Sequence, residues 1–171
     1  MMTDSSPSAT PTRVLFVCLG NICRSPAAEG LFLHRLAQQN LTGAFEVDSA
    51  GTGAWHVGKP ADRRMLQAAE ARGVVLPSRA RQIRVADLQH FDHILTMDAD
   101  NLATVKRLAP AESIRATIAP MTNHCRRFRA QEVPDPYYGG AAGFDAVLDL
   151  LEDACDGLLA TLLEERRRVG R

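Results

Sequence analysis

The sequence predicts an α/β fold: a single domain on a short four-stranded parallel sheet with helices on both faces. Three observations lead there. Strand-like apolar runs alternate with helix-like segments along the chain, the pattern of a parallel sheet. The runs are short, as strands covered on both faces can be. At 171 residues, 46% of them hydrophobic, the chain has material for one sizeable core, and it shows no internal repeat or domain boundary.

The elements follow in order. Arg13–Val17 reads as a buried strand. From Pro26 onward, AAEGLFLHRLAQQ sets Leu31, Leu33 and Leu36 among polar residues and reads as a helix, with Ser25 suited to the N-cap and Pro26 to the first helical position. Phe45–Ala50 reads as the second strand, followed by the glycine-rich loop GTGAWHVGKP. Asp62–Arg72 reads as a helix closed by Gly73. Val85–His90 reads as a short helix, His93–Met97 as the third strand, Asp98–Leu108 as a helix and Ser113–Ile118 as the fourth strand. In the last helix Phe144, Leu148, Leu151, Cys155, Leu158 and Leu162 recur every three or four residues.

Charge and composition exclude whole classes. The 20 basic and 20 acidic residues cancel, which argues against a general nucleic-acid or membrane-surface binder. No run is long enough to span a bilayer. The opening MMTDSSPSATPT lacks the basic start and apolar stretch of a signal peptide. Residues 1–12 are therefore expected to form a disordered tail, 13–165 the domain and 166–171 a C-terminal tail. A cytoplasmic location is expected, where the four cysteines are thiols rather than a disulfide framework.

The first strand ends in a motif that carries chemistry. VLFVCLGNICRSP sets Cys18 at the strand end and Arg24 just before the helix. In parallel sheets, ligands sit beyond the carboxyl ends of the strands. A loop entering a helix turns several N–H groups one way, and the helix N-terminus adds partial positive charge, so Cys18–Ser25 reads as an anion cradle. Gly20 permits close backbone approach. Asn21 tolerates a left-handed conformation, and Arg24 can fork onto two phosphate oxygens. A thiol at the base of such a cradle is favoured as the thiolate. The loop offers a nucleophile aimed at a bound oxyanion, and phosphoryl transfer to sulfur fits it. A nucleotide P-loop would need a Gly-Lys-Ser/Thr ending that is absent, and a structural zinc site would need CxxC pairs that Cys18 and Cys23 do not make. For Cys-x5-Arg alone, a buried strand-end cysteine with an incidental arginine is an even alternative; the full string CLGNICRSP weighs against it.

A second motif is VPDPYYGG, Val133–Gly140. Prolines on both sides of Asp135 restrict the loop, and Tyr137 and Tyr138 follow. An ordinary surface turn is the plain alternative, since Asp-Pro is common turn chemistry. Together, Cys18–Ser25 and Asp135–Gly140 resemble the low-molecular-weight protein tyrosine phosphatase family, in which the cradle reads CxGNxCRSP and the acid loop DPY or DPYYG. The resemblance runs from Arg13 to Leu163 and implies a flavodoxin-like three-layer sandwich. It implies that Cys18 attacks phosphorus, that Arg24 binds phosphate and stabilises the transition state, and that Asp135 protonates the leaving phenolate and then deprotonates water. Leu19, Gly20, Asn21, Ile22 and Cys23 would line the cradle. Ser25 would hydrogen-bond the Cys18 sulfur, and Ser49, in DSAG, would support Asn21. Trp55, Tyr137 and Tyr138 match an aromatic rim, although a lone Trp is often a packed core residue.

The resemblance implies no metal and no cofactor. Its implied partners are phosphotyrosine-containing proteins and, as a further candidate, a cognate tyrosine kinase. Cys23 shares the loop with Cys18, so a disulfide between them on oxidation is expected. There is one departure. Some members carry a histidine three residues before the arginine of an ARQ stretch; here that stretch is Ala80–Gln82 and Ser78 holds the place. The five histidines are expected to be surface or core residues without a catalytic role. Arsenate reductase on the same fold would need extra cysteines near Pro77–Leu88, and that segment has none. Protein-arginine phosphatase tends to have threonine where Ile22 stands and lacks the tyrosine pair. A non-catalytic phosphotyrosine-binding module would need neither Cys18 nor Asp135.

Overall fold

The computed structural model describes residues 10–170; most of the expected N-terminal tail lies outside them. The strands β1 (Thr12–Cys18), β2 (Phe45–Gly51), β3 (His93–Thr96) and β4 (Thr117–Pro120) form one parallel sheet in the order β2-β1-β3-β4. The connecting α-helices are α1 (Arg24–Gln38), α2 (Arg63–Glu70), α3 (Asp87–His90) and α4 (Ala99–Lys106), with α5 (Ala141–Val169) last. Central strand β1 is apolar on both faces, and Val14, Leu15, Phe16 and Val17 are fully buried. Alternation sends Val14 and Phe16 to the core under α1 and α5, where the rings of Phe16, Phe32 and Phe45 meet edge to face at 5.7 and 5.6 Å. Leu15 and Val17 go to the other face, against Leu88, Ile94 and Val105. Since β2 and β3 flank β1 on opposite sides, a crevice opens at the carboxyl ends of β1 and β3.

The elements depart from expectation in three places. The fourth strand is displaced: Ala111–Ser113 make a 3-10 turn, and Thr117–Pro120 pair with β3, Ile118 opposite Ile94. Pro120 has no N–H and is tolerated because β4 is the sheet edge. Helix α5 continues past Leu162 to Val169, so residues 166–169 are helical rather than a tail. Arg166 anchors this end: it donates to the Thr10 carbonyl at 3.1 Å and to Thr12 Oγ1 at 3.0 Å, and its guanidinium lies over the Phe45 ring. Thr12 itself is paired with Phe45 in the sheet rather than lying in a tail.

The third departure bears on function. Helix α1 begins at Arg24, Cys23 occupies the cap position, and no side chain caps it. Ser25 is therefore not the N-cap, because its hydroxyl is used on the Cys18 sulfur. Pro26 sits one turn's third residue in, where an N–H would be unpaired anyway. The uncapped amides remain available to an anion.

Candidate active site

The cradle is shaped by where its carbonyls go. Those of Cys18 and Leu19 accept from the N–H groups of Thr52 and Gly53, both at 2.9 Å, and that of Ile22 from Asp62 at 2.7 Å. With these carbonyls tied to neighbouring loops, the amides are left for a ligand; among the described residues, no N–H of Leu19–Cys23 donates to a backbone carbonyl. Gly51 allows the close approach, since a Cβ there would stand 2.8 Å from the Leu19 carbonyl oxygen. Asn21 turns the chain at a φ of 58°, as its residue type allows. Its Oδ1 accepts from the Arg81 N–H at 3.0 Å, and its Nδ2 donates to Ser25 Oγ at 2.7 Å and Ser49 Oγ at 3.0 Å. Ser25 Oγ lies 3.0 Å from Cys18 Sγ. Gly20 makes room for the cavity wall, since a Cβ there would press on the His56 ring at 3.0 Å.

Arg24 is buried and held from two sides. One Nη donates to Asp98 Oδ2 at 2.7 Å and to the Val133 carbonyl at 3.0 Å; the other is 3.6 Å from Asp135 Oδ2. Burial opposes its charge, but Cys18, Asp98 and Asp135 outweigh that and hold its pKa above the ordinary arginine value. Asp98 also caps α4 through the Asn101 N–H at 2.8 Å. The sequence marks Asp98 as a helix start and gives no sign of its bond to Arg24, which spans 74 residues.

Asp135 follows Val133, whose N–H is tied to the Met97 carbonyl at the end of β3, at 2.8 Å. One carboxylate oxygen accepts the Tyr137 N–H at 3.1 Å. Arg64, at the start of α2, braces the same loop by donating to the Tyr137 carbonyl at 2.9 Å. Cys18, Arg24 and Asp135 share one cavity of about 400 Å³. Its outer wall is made by Ile22, Trp55, His56, Tyr137 and Tyr138. Trp55 is 69% exposed, which rules out the packed-core reading. Its ring lies against Gly53, where any Cβ would collide with it. His56, marked by no motif, stands in the wall beside Tyr137, ring centroids 6.2 Å apart. Cys23 also lines the cavity; burial first, then Asp62, Cys18 and Asp135, push its thiol up to about 12.

The family model for low molecular weight phosphotyrosine protein phosphatase matches residues 13–168. A Synechocystis sp. protein named for that family is 46% identical over 153 residues, covering 90% of this chain and 98% of its own. A crystal structure of a protein tyrosine phosphatase from Entamoeba histolytica, with Hepes in the active site, gives a TM-score of 0.87 at 42% identity, covering 91% of this chain and 99% of that one. The crystal structure of a Drosophila arginine phosphatase gives 0.82 at 32% identity, covering 87% and 96%. Fold and site together define a hydrolase of the phosphatase class. The chain belongs to the low molecular weight phosphotyrosine protein phosphatase family. No described helix is long and apolar enough to cross a membrane.

Proposed function

We propose that this phosphatase hydrolyses phosphotyrosine in proteins, in the cytoplasm, through a cysteinyl-phosphate. The observation that carries the reading is the convergence of Cys18, Arg24 and Asp135 in one cavity with an aromatic wall. The cradle amides and Arg24 take the phosphate oxygens. The Cys18 thiolate attacks phosphorus opposite the phenolic oxygen; the S–P bond forms as the P–O bond breaks, and Asp135 gives its proton to the departing phenolate. Asp135, now a carboxylate, takes a proton from water as that water attacks phosphorus. The S–P bond breaks, phosphate leaves, and the Ser25 hydroxyl stabilises the returning thiolate. On oxidation, Cys23 would trap the Cys18 sulfenic acid as a disulfide. A tyrosine kinase acting on the same proteins would supply the substrate.

The wall supports an aryl substrate. Ile22 and Tyr137 offer flat apolar surface to a ring, whereas phosphoserine is too short to bring phosphorus to the cradle floor. The fold alone leaves phosphoarginine open, since a Drosophila arginine phosphatase shares it. Turnover of matched phosphotyrosine, phosphoserine and phosphoarginine peptides, with arsenate alongside, tests the reading. Strong preference for phosphotyrosine is expected; a higher kcat/KM on phosphoarginine overturns it.

A further inference from the structure

Behind the cradle lies a buried carboxyl that these steps do not use. Glu29 is one turn after Ser25 on α1 and only 5% exposed. One of its oxygens accepts from the Ser49 hydroxyl at 2.6 Å. Burial pushes its pKa up, and hydrogen bonds from Ser49 and Ser78 pull the other way. The charged groups that face it are Asp48 and Arg81, and Arg81 is already paired with Asp48 and Asp87, each at 3.0 Å. Ser78 stands where some family members have histidine, and in this chain its hydroxyl reaches the carboxyl.

From Glu29 a chain of hydrogen bonds leads to the nucleophile. Ser49 has one hydroxyl proton. Giving it to the carboxylate turns a Ser49 lone pair toward Asn21, whose Nδ2 donates there at 3.0 Å. The same Nδ2 donates its other proton to Ser25 Oγ at 2.7 Å. Ser25, having accepted, has one proton to give, and the Cys18 sulfur at 3.0 Å stands closer to it than its other acceptor, the Ala50 carbonyl at 3.5 Å. The chain is terminated by two acceptors, a carboxylate and a thiolate. Were the Glu29 end to donate instead, Ser49 Oγ would accept from both sides, its own proton would lose its acceptor, and nothing would fix the hydroxyl that faces Asn21.

We infer that Glu29 is a positioning residue for Cys18: by fixing the Ser49 hydroxyl it holds the Asn21 amide, and through it directs the Ser25 proton at the sulfur. The inference rests on Cys18 being the nucleophile, as proposed above. Glu29→Gln tests it, because the amide has the same shape but no charge and can donate. The readout is the pH profile of Cys18 alkylation by iodoacetate, with the modified peptide identified by mass and folding checked by thermal melting. The profile should move up by about one pH unit, so that alkylation on its rising limb is roughly tenfold slower at a given pH, with kcat falling in parallel. Ser49→Ala should cause the same displacement, and the double variant no more than either single one, since both cut one chain. If Glu29→Gln does not fold, Glu29→Asp decides: it keeps the charge but draws back from Ser49, and should show the same displacement. A folded Glu29 variant whose profile superimposes on wild type overturns the inference. Alkylation does not depend on turnover, so turnover surviving in Cys18→Ser would defeat the nucleophile reading separately.

Discussion

The two sides of the cavity are built on opposite plans. The cradle side is buried: Asn21 and Arg24 are 2% exposed, and Ser25 is 0%. Each of these side chains has partners from distant parts of the chain, among them Ser49, Asp98 and Val133. The opposite side is open, with Trp55 and Tyr138 projecting into solvent. It is held by a few bonds: Asp135 to its own loop, Arg64 to the Tyr137 carbonyl, Trp55 against a glycine. The difference follows from what each side meets. The phosphate is the same in every substrate, so its site can be fixed before binding, where preorganised donors count most. The group that leaves differs from protein to protein, and an exposed wall can adjust to it.

The comparison can be broken from either side. The largest effect is expected from Cys18→Ser: turnover should fall on the order of 10⁴-fold or more, as when other nucleophiles are removed. Phosphate should still bind because the cradle amides remain, and trapping of labelled phosphate on the protein checks the loss. Next is Asp135→Ala. Tyrosine's phenol has a pKa near ~10, so its anion leaves poorly, and losing the acid should slow phosphotyrosine hydrolysis by roughly 10²–10⁴-fold. Nitrophenyl phosphate, with a more stable leaving anion, should suffer far less. Phosphoenzyme formation measured over aryl phosphates of different leaving-group pKa decides this; identical dependence in variant and wild type removes Asp135 as the acid.

Asp98→Asn sharpens the contrast between held and open sides. Asparagine still caps a helix, so α4 should survive, but Arg24 loses a charged partner. A loss of about tenfold in kcat/KM is expected, with similar factors for phosphotyrosine and nitrophenyl phosphate, because the phosphate side serves both. Cys23 offers a test by pH. Its thiol, pushed up to about 12, is protonated at neutral pH and becomes the attacking thiolate as pH rises. Closure of a Cys18–Cys23 disulfide after peroxide should therefore speed up roughly tenfold per pH unit across the mildly alkaline range, read by mass spectrometry of quenched samples. The smallest effect belongs to the open wall. Gly53→Ala should displace the Trp55 ring, shift the emission of the protein's single tryptophan, and raise KM for phosphotyrosine peptides by about two- to fivefold with kcat nearly unchanged, since Trp stacking is worth only about a kcal/mol at an exposed site.

Much of the site could be read before folding was considered, and the reason is distance along the chain. Cys18, Asn21, Arg24 and Ser25 fall within eight residues, between a run that can only be a buried strand and an amphipathic helix, so local structure alone brings them together. The prolines around Asp135 likewise mark a rigid loop without reference to anything else. The same local view misplaced the start of α1. It assigned Ser25 to the cap because serine at a strand-to-helix junction usually serves there, and could not see that the sulfur of Cys18 and the amide of Asn21 would claim that hydroxyl. His56, Arg64 and Glu29 carry no motif; His56 is signalled only by its neighbour Trp55, which the resemblance places in the aromatic rim.

The sequence by itself determined the chemistry: a thiol, a left-handed turn and a guanidinium spaced so that one strand–loop–helix unit presents them to an anion. Tertiary structure decided how those groups are held and what faces them. Strand register sets Ser49 opposite Phe16 and Gly51 opposite Cys18, which brings the Ser49 hydroxyl to Asn21 and lets the loop pack on a residue without a side chain. The return of the chain past β3 brings Asp98, Val133 and Asp135 onto Arg24. These contacts join residues 28 to 111 positions apart, and a hydrogen bond or ion pair over that span forms only when sheet order and helix packing have already fixed both ends, which no local pattern of residues encodes.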